Sequence, residues 1–325
     1  MPADPIRPEQ IGIDAIRAAR ERISGLAIRT PLVRLEVPEV AGEIYLKLEN
    51  LQPIGSFKLR GAGNAMALAS DEQLRDGVYT ASAGNMAQGV AWVARERGVS
   101  CKVVVPDHAP ATKLAAIERL GAEIVKVPFD LWWQVIIEHR FAGMEGCFIH
   151  PVCEPAVMAG NGTIGLEIIE DLPDVDAVVL PYGGGGLSAG VASAIRALRP
   201  ETRLLAAEAE TAAPLAASFA AGEAREIDYQ PTFIDGSGGK AVLDQMWPLV
   251  RELLDGSLVV SVAEVATAVR TLVERNRVVA EGAGALPVAA ALAGKAGSGK
   301  IVCVISGGNI DSSKLATILS GGVPE

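Results

Sequence analysis

Short β-rich runs alternate with longer helical patterns along most of this chain, and no other feature limits its fold as strongly. The runs GVYTAS, CKVVVP and AEIVKVP, which begin at residues 77, 101 and 122, are each followed by a helical pattern. After residue 151 the alternation continues through DAVVLP, RLLAAEAE, SLVVSV and KIVCVIS. Parallel strands need crossover connections that are usually helical. The alternation therefore predicts an α/β fold with two doubly wound domains and mostly parallel sheets.

The order of the two series predicts the domain organisation. A strand pattern, EIYLKLEN at residues 43–50, and an amphipathic helix at residues 13–23 precede the first series. We therefore predict a discontinuous large domain formed by residues 1–53 and 152–325. A small α/β domain, residues 54–151, is predicted to be inserted into it.

The charge and the polarity of the chain disfavour several classes of partner. Lys and Arg number 29 and Asp and Glu 39, so the net charge of −10 argues against nucleic acid or an anionic membrane. No apolar run approaches the roughly 20 residues that cross a bilayer, and the start, MPADPIRPEQ, lacks the order of a secretion signal. We therefore expect a cytoplasmic protein with a small-molecule ligand. No metal site is expected, because metal-ligand spacing is absent from Cys101, Cys147, Cys153, Cys303, His108, His139 and His150.

Lys58 raises a question because of its neighbours. It lies in the stretch ENLQPIGSFKLRGAGNA, between Phe57 and a run of glycine and small residues. A lysine is ordinarily a solvated surface charge and is almost never fully buried unless it is paired. The aromatic and small neighbours argue against that ordinary interpretation here.

Four consecutive glycines follow the strand pattern DAVVLP and precede a helical pattern that begins near Leu187. Such a loop lets backbone N–H groups surround an anion at the positive end of a helix, which is how many proteins hold a phosphate. A flexible turn without a ligand is the alternative. The loop has neither the Lys-Ser or Lys-Thr of a Walker loop nor the G-x-G-x-x-G order of dinucleotide sites, so a smaller phosphorylated cofactor is favoured. These residues are Gly183, Gly184, Gly185 and Gly186.

Two further junctions between a strand and a helix have unusual sequences. The loop TASAGNMAQG can bind a carboxylate through its backbone N–H groups, and the amide of Asn85 can bind a ring hydroxyl. Alone, this loop would be only a capped helix start. In VCVISGGNID, Ser306 ends an apolar strand and either faces a heterocyclic nitrogen or caps the turn.

Together these segments resemble the serine and threonine dehydratase family of pyridoxal-phosphate (PLP) enzymes, which have the tryptophan-synthase-β type of fold. The similarity runs from RTPLVRL and YLKLENLQPIGSFKLRGA through SAGNMAQGVA, GGGGLSAG and EGAGALPVAAAL to SGGNID, nearly the whole chain. The resemblance implies that PLP lies in the cleft between the two domains. It also implies dehydration and deamination of a 3-hydroxy amino acid to a 2-oxo acid and ammonia. A homodimer is left open.

The resemblance assigns roles to individual residues of this sequence. Lys58 is expected to form the Schiff base with PLP and, when released, to remove the Cα proton of the substrate. Glu281 matches a family glutamate near the ring, although a buried structural glutamate is the alternative. The remaining cofactor contacts are expected from Phe57 and Asn85 on the ring, Ser306 on its nitrogen, and Gly183, Gly184, Gly185, Gly186 and Leu187 on the phosphate. The substrate is expected to contact Ile54, Ser82, Ala83, Gly84, Asn85 and Met86.

Departures from the family pattern suggest a particular substrate. The family usually has threonine or serine at the position of Ile54 and histidine at that of Met86, so both changes replace polar groups by apolar ones. We therefore predict a bulky or aromatic substrate such as L-threo-phenylserine. An ordinary L-threonine or L-serine ammonia-lyase, a β-replacement enzyme and a non-catalytic PLP-binding protein are the alternatives. Racemisation should be weak, since Ala83 replaces the serine that some members use.

Overall fold

Two sheets form the frame of the molecule in a computed structural model that describes residues 8–37, 40 and 42–324. The strands are β1 (Leu32–Arg34), β2 (Glu43–Lys47), β3 (Val78–Ala81), β4 (Cys101–Pro106), β5 (Glu123–Val127), β6 (Cys147–Phe148), β7 (Ala177–Pro181), β8 (Arg203–Ala209), β9 (Gly256–Val260) and β10 (Lys300–Val304). The larger sheet has the order β1-β2-β10-β7-β8-β9, and the smaller one has the order β5-β4-β3-β6.

Helices cover these sheets and form most of the connections. They are α1 (Ile13–Arg22), α2 (Lys58–Leu68), α3 (Asp71–Leu74), α4 (Asn85–Arg97), α5 (Ala111–Glu118), α6 (Phe129–Glu138), α7 (Pro155–Asp171), α8 (Gly186–Leu198), α9 (Pro214–Ala221), α10 (Trp247–Leu253), α11 (Val262–Asn276), α12 (Gly282–Leu292) and α13 (Ser312–Leu319). A short 3-10 helix spans Glu49–Leu51.

The strand pairing confirms the predicted fold class. Every neighbouring pair is parallel except β1 and β2, which pair antiparallel at one edge of the larger sheet. Parallel sheets are covered on both faces, so their central strands are apolar throughout. In agreement, all five residues of β7 are buried. The smaller sheet uses only strands between residues 78 and 148, while the proposed domain boundaries at residues 54 and 151 stay a prediction.

Helix α7 packs against α2 on one side and α8 on the other through bare backbone. A Cβ atom added at Gly160 of α7 would lie 2.3 Å from the carbonyl oxygen of Arg60 in α2. One added at Gly190 of α8 would lie 2.2 Å from the carbonyl oxygen of Met158 in α7. Glycine at these positions therefore lets the three helices approach more closely than any other residue would allow.

A buried network of charges holds the start of α2 against α7 and the 3-10 helix. The Arg60 guanidinium donates to both carboxylate oxygens of Glu49, at 2.8 Å each, and to both of Glu167, at 2.6 and 2.9 Å. Lys47 Nζ lies 2.6 Å from Glu167 and also donates to the carbonyl oxygen of Thr30. All of these side chains are buried. Each charge has an opposite partner, which is the condition for keeping ions out of water.

Two absences bear on function. Among the described residues no helix is long and apolar enough to cross a membrane. In the same part of the chain, no cluster of three or more His, Cys, Asp or Glu side chains could hold a metal ion.

Candidate active site

Three strands end directly before the loops that the sequence singled out. Strand β3 leads into the loop at residues 82–84, β7 into the glycine loop at residues 183–185, and β10 into the turn at residues 305–309. The carboxyl ends of β7 and β10 share one edge of the larger sheet, and the loop after β3, from the smaller sheet, meets them across a cavity. The volume of this cavity is about 340 Å³.

Lys58 is the first residue of α2, and its amine reaches into this cavity. Its Nζ donates to the carbonyl oxygen of Pro151 at 3.0 Å and lies 5.3 Å from the centre of the Phe57 ring. Loss of water around the amine lowers the pKa of Lys58 to about 8, an effect that the nearby Glu281 carboxylate opposes. An amine that loses its proton this easily can act as a nucleophile or a base near neutral pH.

The segment that leads into α2 is fixed by the turn after β10. The backbone N–H of Phe57 donates to the carbonyl oxygen of Ser306 at 2.9 Å, and that of Gly308 donates to the carbonyl oxygen of Gly55 at 2.9 Å. Ser56 and Gly307 form an antiparallel bridge between the two segments. Lys58 and Ser306 are therefore held in one unit, although they are far apart in the sequence.

The four glycines form the approach to α8. Gly185 has a φ of +96°, a backbone conformation that residues other than glycine rarely adopt. A Cβ added at Gly184 would lie 2.5 Å from the Val152 side chain, and one added at Gly186 would lie 2.7 Å from the carbonyl oxygen of Val152. All four glycines also line the cavity, which leaves the backbone N–H groups at the positive end of α8 for an anion.

Asn85 and Glu281 form a polar pair on another wall of the cavity. Asn85 Nδ2 donates to Glu281 Oε1 at 2.8 Å, and Asn85 Oδ1 accepts from Asn309 at 2.8 Å. Burial raises the pKa of Glu281 to about 7, the charge of Asp235 adds to the rise, and the bond from Asn85 opposes it. The amide of Asn85 is thus held in one orientation with its second N–H left for a ligand.

All but one of the predicted site residues line the cavity. The exception is Ile54, whose side chain is buried in the apolar core beside the smaller sheet, together with that of Met86. Only its backbone takes part in the site, because its carbonyl oxygen accepts from Asn309. Met86 belongs to the same core but also lines the cavity. The residues brought together are Phe57, Lys58, Ser82, Ala83, Gly84, Asn85, Met86, Gly183, Gly184, Gly185, Gly186, Leu187, Glu281 and Ser306.

The cavity also has walls that the sequence analysis missed. Phe129 and Trp132 of α6 line it, with ring centres 5.6 Å apart. Lys113 of α5 and Asp235, from the loop after α9, form a 2.7 Å ion pair at its mouth. No motif identifies these residues. The apolar run FDLWWQVII, in which aromatic residues recur around a helix, could have indicated α6 as a wall of the cavity.

Some members of the family that this sequence resembles bind a cation at the position of Glu208. In this chain, protein donors occupy that carboxylate. The carboxylate accepts from the backbone N–H groups of Leu215 and Ala216, at 2.9 and 2.8 Å, and from Ser257 Oγ at 2.6 Å. It thereby satisfies backbone donors in the first turn of α9. Pro214 offers no carboxylate to complete a cation site.

The residues of this cavity fit PLP. A partly buried lysine amine, a glycine cradle that side chains would fill, and an amide with a spare N–H match its aldehyde, phosphate and ring oxygen. In addition, the buried hydroxyl of Ser188, in the first turn of α8, has no hydrogen-bond partner among the described residues. An unpaired buried hydroxyl costs about 1–3 kcal/mol, so a phosphate beside α8 would remove that cost.

Comparison with known proteins identifies the class. Residues 23–307 match the family described as pyridoxal-phosphate dependent enzyme. This chain belongs to that family, and PLP is its cofactor. The predicted family and cofactor are thereby confirmed.

The similar proteins include enzymes named for related activities. An L-threonine ammonia-lyase of Thermotoga maritima is 42% identical over 96% of this chain and 79% of its own length. The catabolic L-threonine dehydratase TdcB of Escherichia coli strain K12 is 42% identical over 95% of this chain and 96% of its own. Among solved structures, a threonine deaminase from T.th. has a TM-score of 0.85 at 35% identity and covers 92% of this chain and 99% of its own. Maize serine racemase has a TM-score of 0.85 at 33% identity, with 96% of this chain and 98% of its own covered.

Proposed function

We propose that this protein is a PLP-dependent ammonia-lyase that converts L-threonine, and less readily L-serine, into a 2-oxo acid and ammonia. The observation that carries the proposal is the amine of Lys58 in one cavity with the glycine loop and Asn85. Two relatives named for L-threonine are 42% identical to this chain, over 319 and 315 aligned residues. The names of these relatives favour threonine over the bulkier substrate that the sequence suggested.

The reaction assigns a task to each wall of the cavity. When bound, PLP supplies an electron sink for the pair of electrons left at the substrate Cα. We assign Lys58 as the base that removes the Cα proton and the loop at residues 82–86 as the site of the substrate carboxylate. The substrate loses its 3-hydroxyl as water, and hydrolysis of the C–N bond then releases ammonia. Ala83 has no hydroxyl that could act as a second base, so we expect no racemisation of L-serine.

The proposal is tested by measuring 2-oxo acid formation from L-threonine and L-serine. Lys58→Ala should lose at least about a hundred- to ten-thousand-fold in rate, since it removes the base. Borohydride treatment of the wild type should fix the cofactor on the peptide that contains Lys58. No 2-oxo acid from either substrate, or near-normal turnover by Lys58→Ala, would contradict the proposal.

A second candidate substrate is an aromatic 3-hydroxy amino acid such as L-threo-phenylserine. Phe129 and Trp132 support it, because they place two aromatic rings on the cavity wall. Met86, whose flexible side chain adapts to irregular shapes, lines the cavity as well. Burial of a phenyl group is worth roughly 1.5–3 kcal/mol, which corresponds to about ten- to a hundredfold in kcat/KM.

A matched pair of variants separates the two candidates. Trp132→Ala removes a cavity wall, whereas Trp133→Ala removes a neighbouring side chain that is 44% exposed. If phenylserine is the substrate, kcat/KM for phenylserine should exceed that for threonine in the wild type and fall by about tenfold in Trp132→Ala alone. Threonine as the best wild-type substrate would rule this candidate out and leave the lyase proposal intact.

The cellular location and the assembly remain proposals. We expect a cytoplasmic enzyme, and size-exclusion chromatography with light scattering would test a homodimer.

A further inference from the structure

His150 is a buried histidine outside the predicted site, and both of its ring nitrogens are in use. It follows β6, and only 2% of the residue is exposed. Nδ1 accepts from the backbone N–H groups of Val152, at 3.0 Å, and Cys153, at 2.8 Å. Nε2 lies 3.1 Å from the carbonyl oxygen of Ile136. The ring also stacks on that of His139, with centres 4.1 Å apart.

These partners determine the protonation state of the ring. A nitrogen that accepts two N–H groups carries no proton, so Nε2 carries the single proton and donates it to Ile136. Burial, together with the adjacent His139 ring and Lys58, lowers the pKa of His150 to about 3. The imidazole is therefore neutral at physiological pH and serves as a fixed acceptor for a turn of the backbone.

The turn that His150 holds touches two proposed parts of the active site. The carbonyl oxygen of Pro151 accepts from Lys58 Nζ at 3.0 Å. The next residue, Val152, lines the cavity and packs against the glycine loop: a Cβ at Gly184 would lie 2.5 Å from its side chain, and one at Gly186 would lie 2.7 Å from its carbonyl oxygen. Pro151 thus contacts the amine and Val152, the next residue, contacts the loop.

We propose that His150 is a positioning residue: by accepting the two N–H groups of the turn at residues 150–153, it sets the spacing between Lys58 and the glycine loop. The proposal rests on the roles proposed above for Lys58 and the loop, but it concerns neither the substrate nor the chemistry. Without an acceptor at Nδ1, the N–H groups of Val152 and Cys153 are buried without partners, and the turn shifts to find new ones. PLP, which must reach the amine and the loop together, then binds more weakly.

Two variants of similar polarity separate this role from simple packing. In His150→Asn the side-chain oxygen lies where Nδ1 lies now, so the turn keeps its acceptor. In His150→Gln the amide lies where Nε2 lies now, so it can donate to Ile136 but leaves the two N–H groups unpaired. As a control, His139→Asn removes the stacked ring at a position whose φ of 57° asparagine tolerates.

The experiment titrates each cofactor-free apoprotein with PLP and follows the visible absorption band of the bound cofactor, with circular dichroism to verify folding. The dissociation constant for PLP should rise by about ten- to a hundredfold in His150→Gln, as expected for unpaired buried donors. It should rise by less than about threefold in His150→Asn and His139→Asn, which keep the acceptor. Equal affinities in Asn and Gln variants, or a loss in His139→Asn as large as in Gln, would overturn the inference. A wild type that shows no PLP band would instead overturn the proposed function.

Discussion

Replacing Gly160 by alanine tests whether helix backbones set the geometry of the active site. The new Cβ would lie 2.3 Å from the carbonyl oxygen of Arg60, whereas ordinary van der Waals contact begins at 3.4 Å. Both neighbours belong to helix backbones, so no side-chain rotation can relieve the clash. Helix α2 must therefore move away from α7 by roughly 1 Å.

The displacement has a cost for stability and a cost for catalysis. Overpacking of this kind costs about 1–3 kcal/mol, and the better helix propensity of alanine returns about 1 kcal/mol. We take the upper overpacking cost, because backbone atoms cannot rotate out of the way. The net expectation is a loss of about 2 kcal/mol in the free energy of unfolding. Lys58 begins α2 and moves with it, and a misplacement of about 1 Å can lower kcat/KM by about a hundredfold.

The assay compares thermal unfolding and kcat/KM of Gly160→Ala with those of Gly12→Ala. Gly12 has an ordinary φ of −61°, and a Cβ there would meet no atom within 4 Å, so this control should behave like the wild type. Gly190→Ala offers a third comparison, because it separates α7 from α8 instead of from α2. It should lower the affinity for PLP more than it lowers the rate of proton removal from the substrate. If Gly160→Ala matches Gly12→Ala in both measurements, the geometry does not depend on this contact.

Three other perturbations have outcomes that follow from charges. Arg60→Leu should lower the free energy of unfolding by about 3–5 kcal/mol, since buried Glu49 loses its cationic partner and buried Glu167 keeps only Lys47. Arg29→Ala, which removes exposed ion pairs with Glu170 and Asp171, should cost about 1 kcal/mol or less by the same thermal measurement. Glu281, whose pKa is raised from 4.5 to about 7, retains a proton in the folded apoprotein that the unfolded chain has released, so stability falls as pH rises through that window. Glu281→Gln should therefore gain melting temperature over the wild type between pH 4.5 and 7 and keep a constant advantage above it, and a pH-independent difference would contradict this. Asp235→Asn removes the charge that helps to raise the pKa of Glu281, so it should lower the upper end of the same window.

Much of the fold could be predicted from the sequence because its strands are short apolar runs rich in valine and isoleucine. Strand β4 begins and ends where the run CKVVVP does, and α4 spans the helical pattern from Asn85 to Arg97. Helices α2, α7 and α12 were not predicted as such. Their sequences are rich in glycine, which disfavours isolated helices, and they form because tertiary packing requires close approach.

The site residues divide in the same way. The loops after β7 and β10 could be predicted to meet, since these strands are neighbours in one parallel sheet and their carboxyl ends share an edge. The loop after β3 belongs to the smaller sheet, and only the family resemblance indicated that it faces the other two. The positions of Phe129, Trp132 and His150 could not, because they depend on how the chain packs across large separations in sequence. Ile54 shows the reverse limit: the family resemblance suggested a substrate contact at this position, while its side chain lies in the core.

The bare-backbone contacts of α7 separate two properties of the enzyme that could be engineered independently. We expect the distance between the amine and the glycine loop to depend on Gly160 and Gly190, which carry no side chains and are not part of the cavity lining. The surface that would meet the substrate's side chain includes α6, on the smaller sheet. A library of substitutions confined to residues 129–138 should therefore change which amino acids are accepted while the affinity for PLP stays constant.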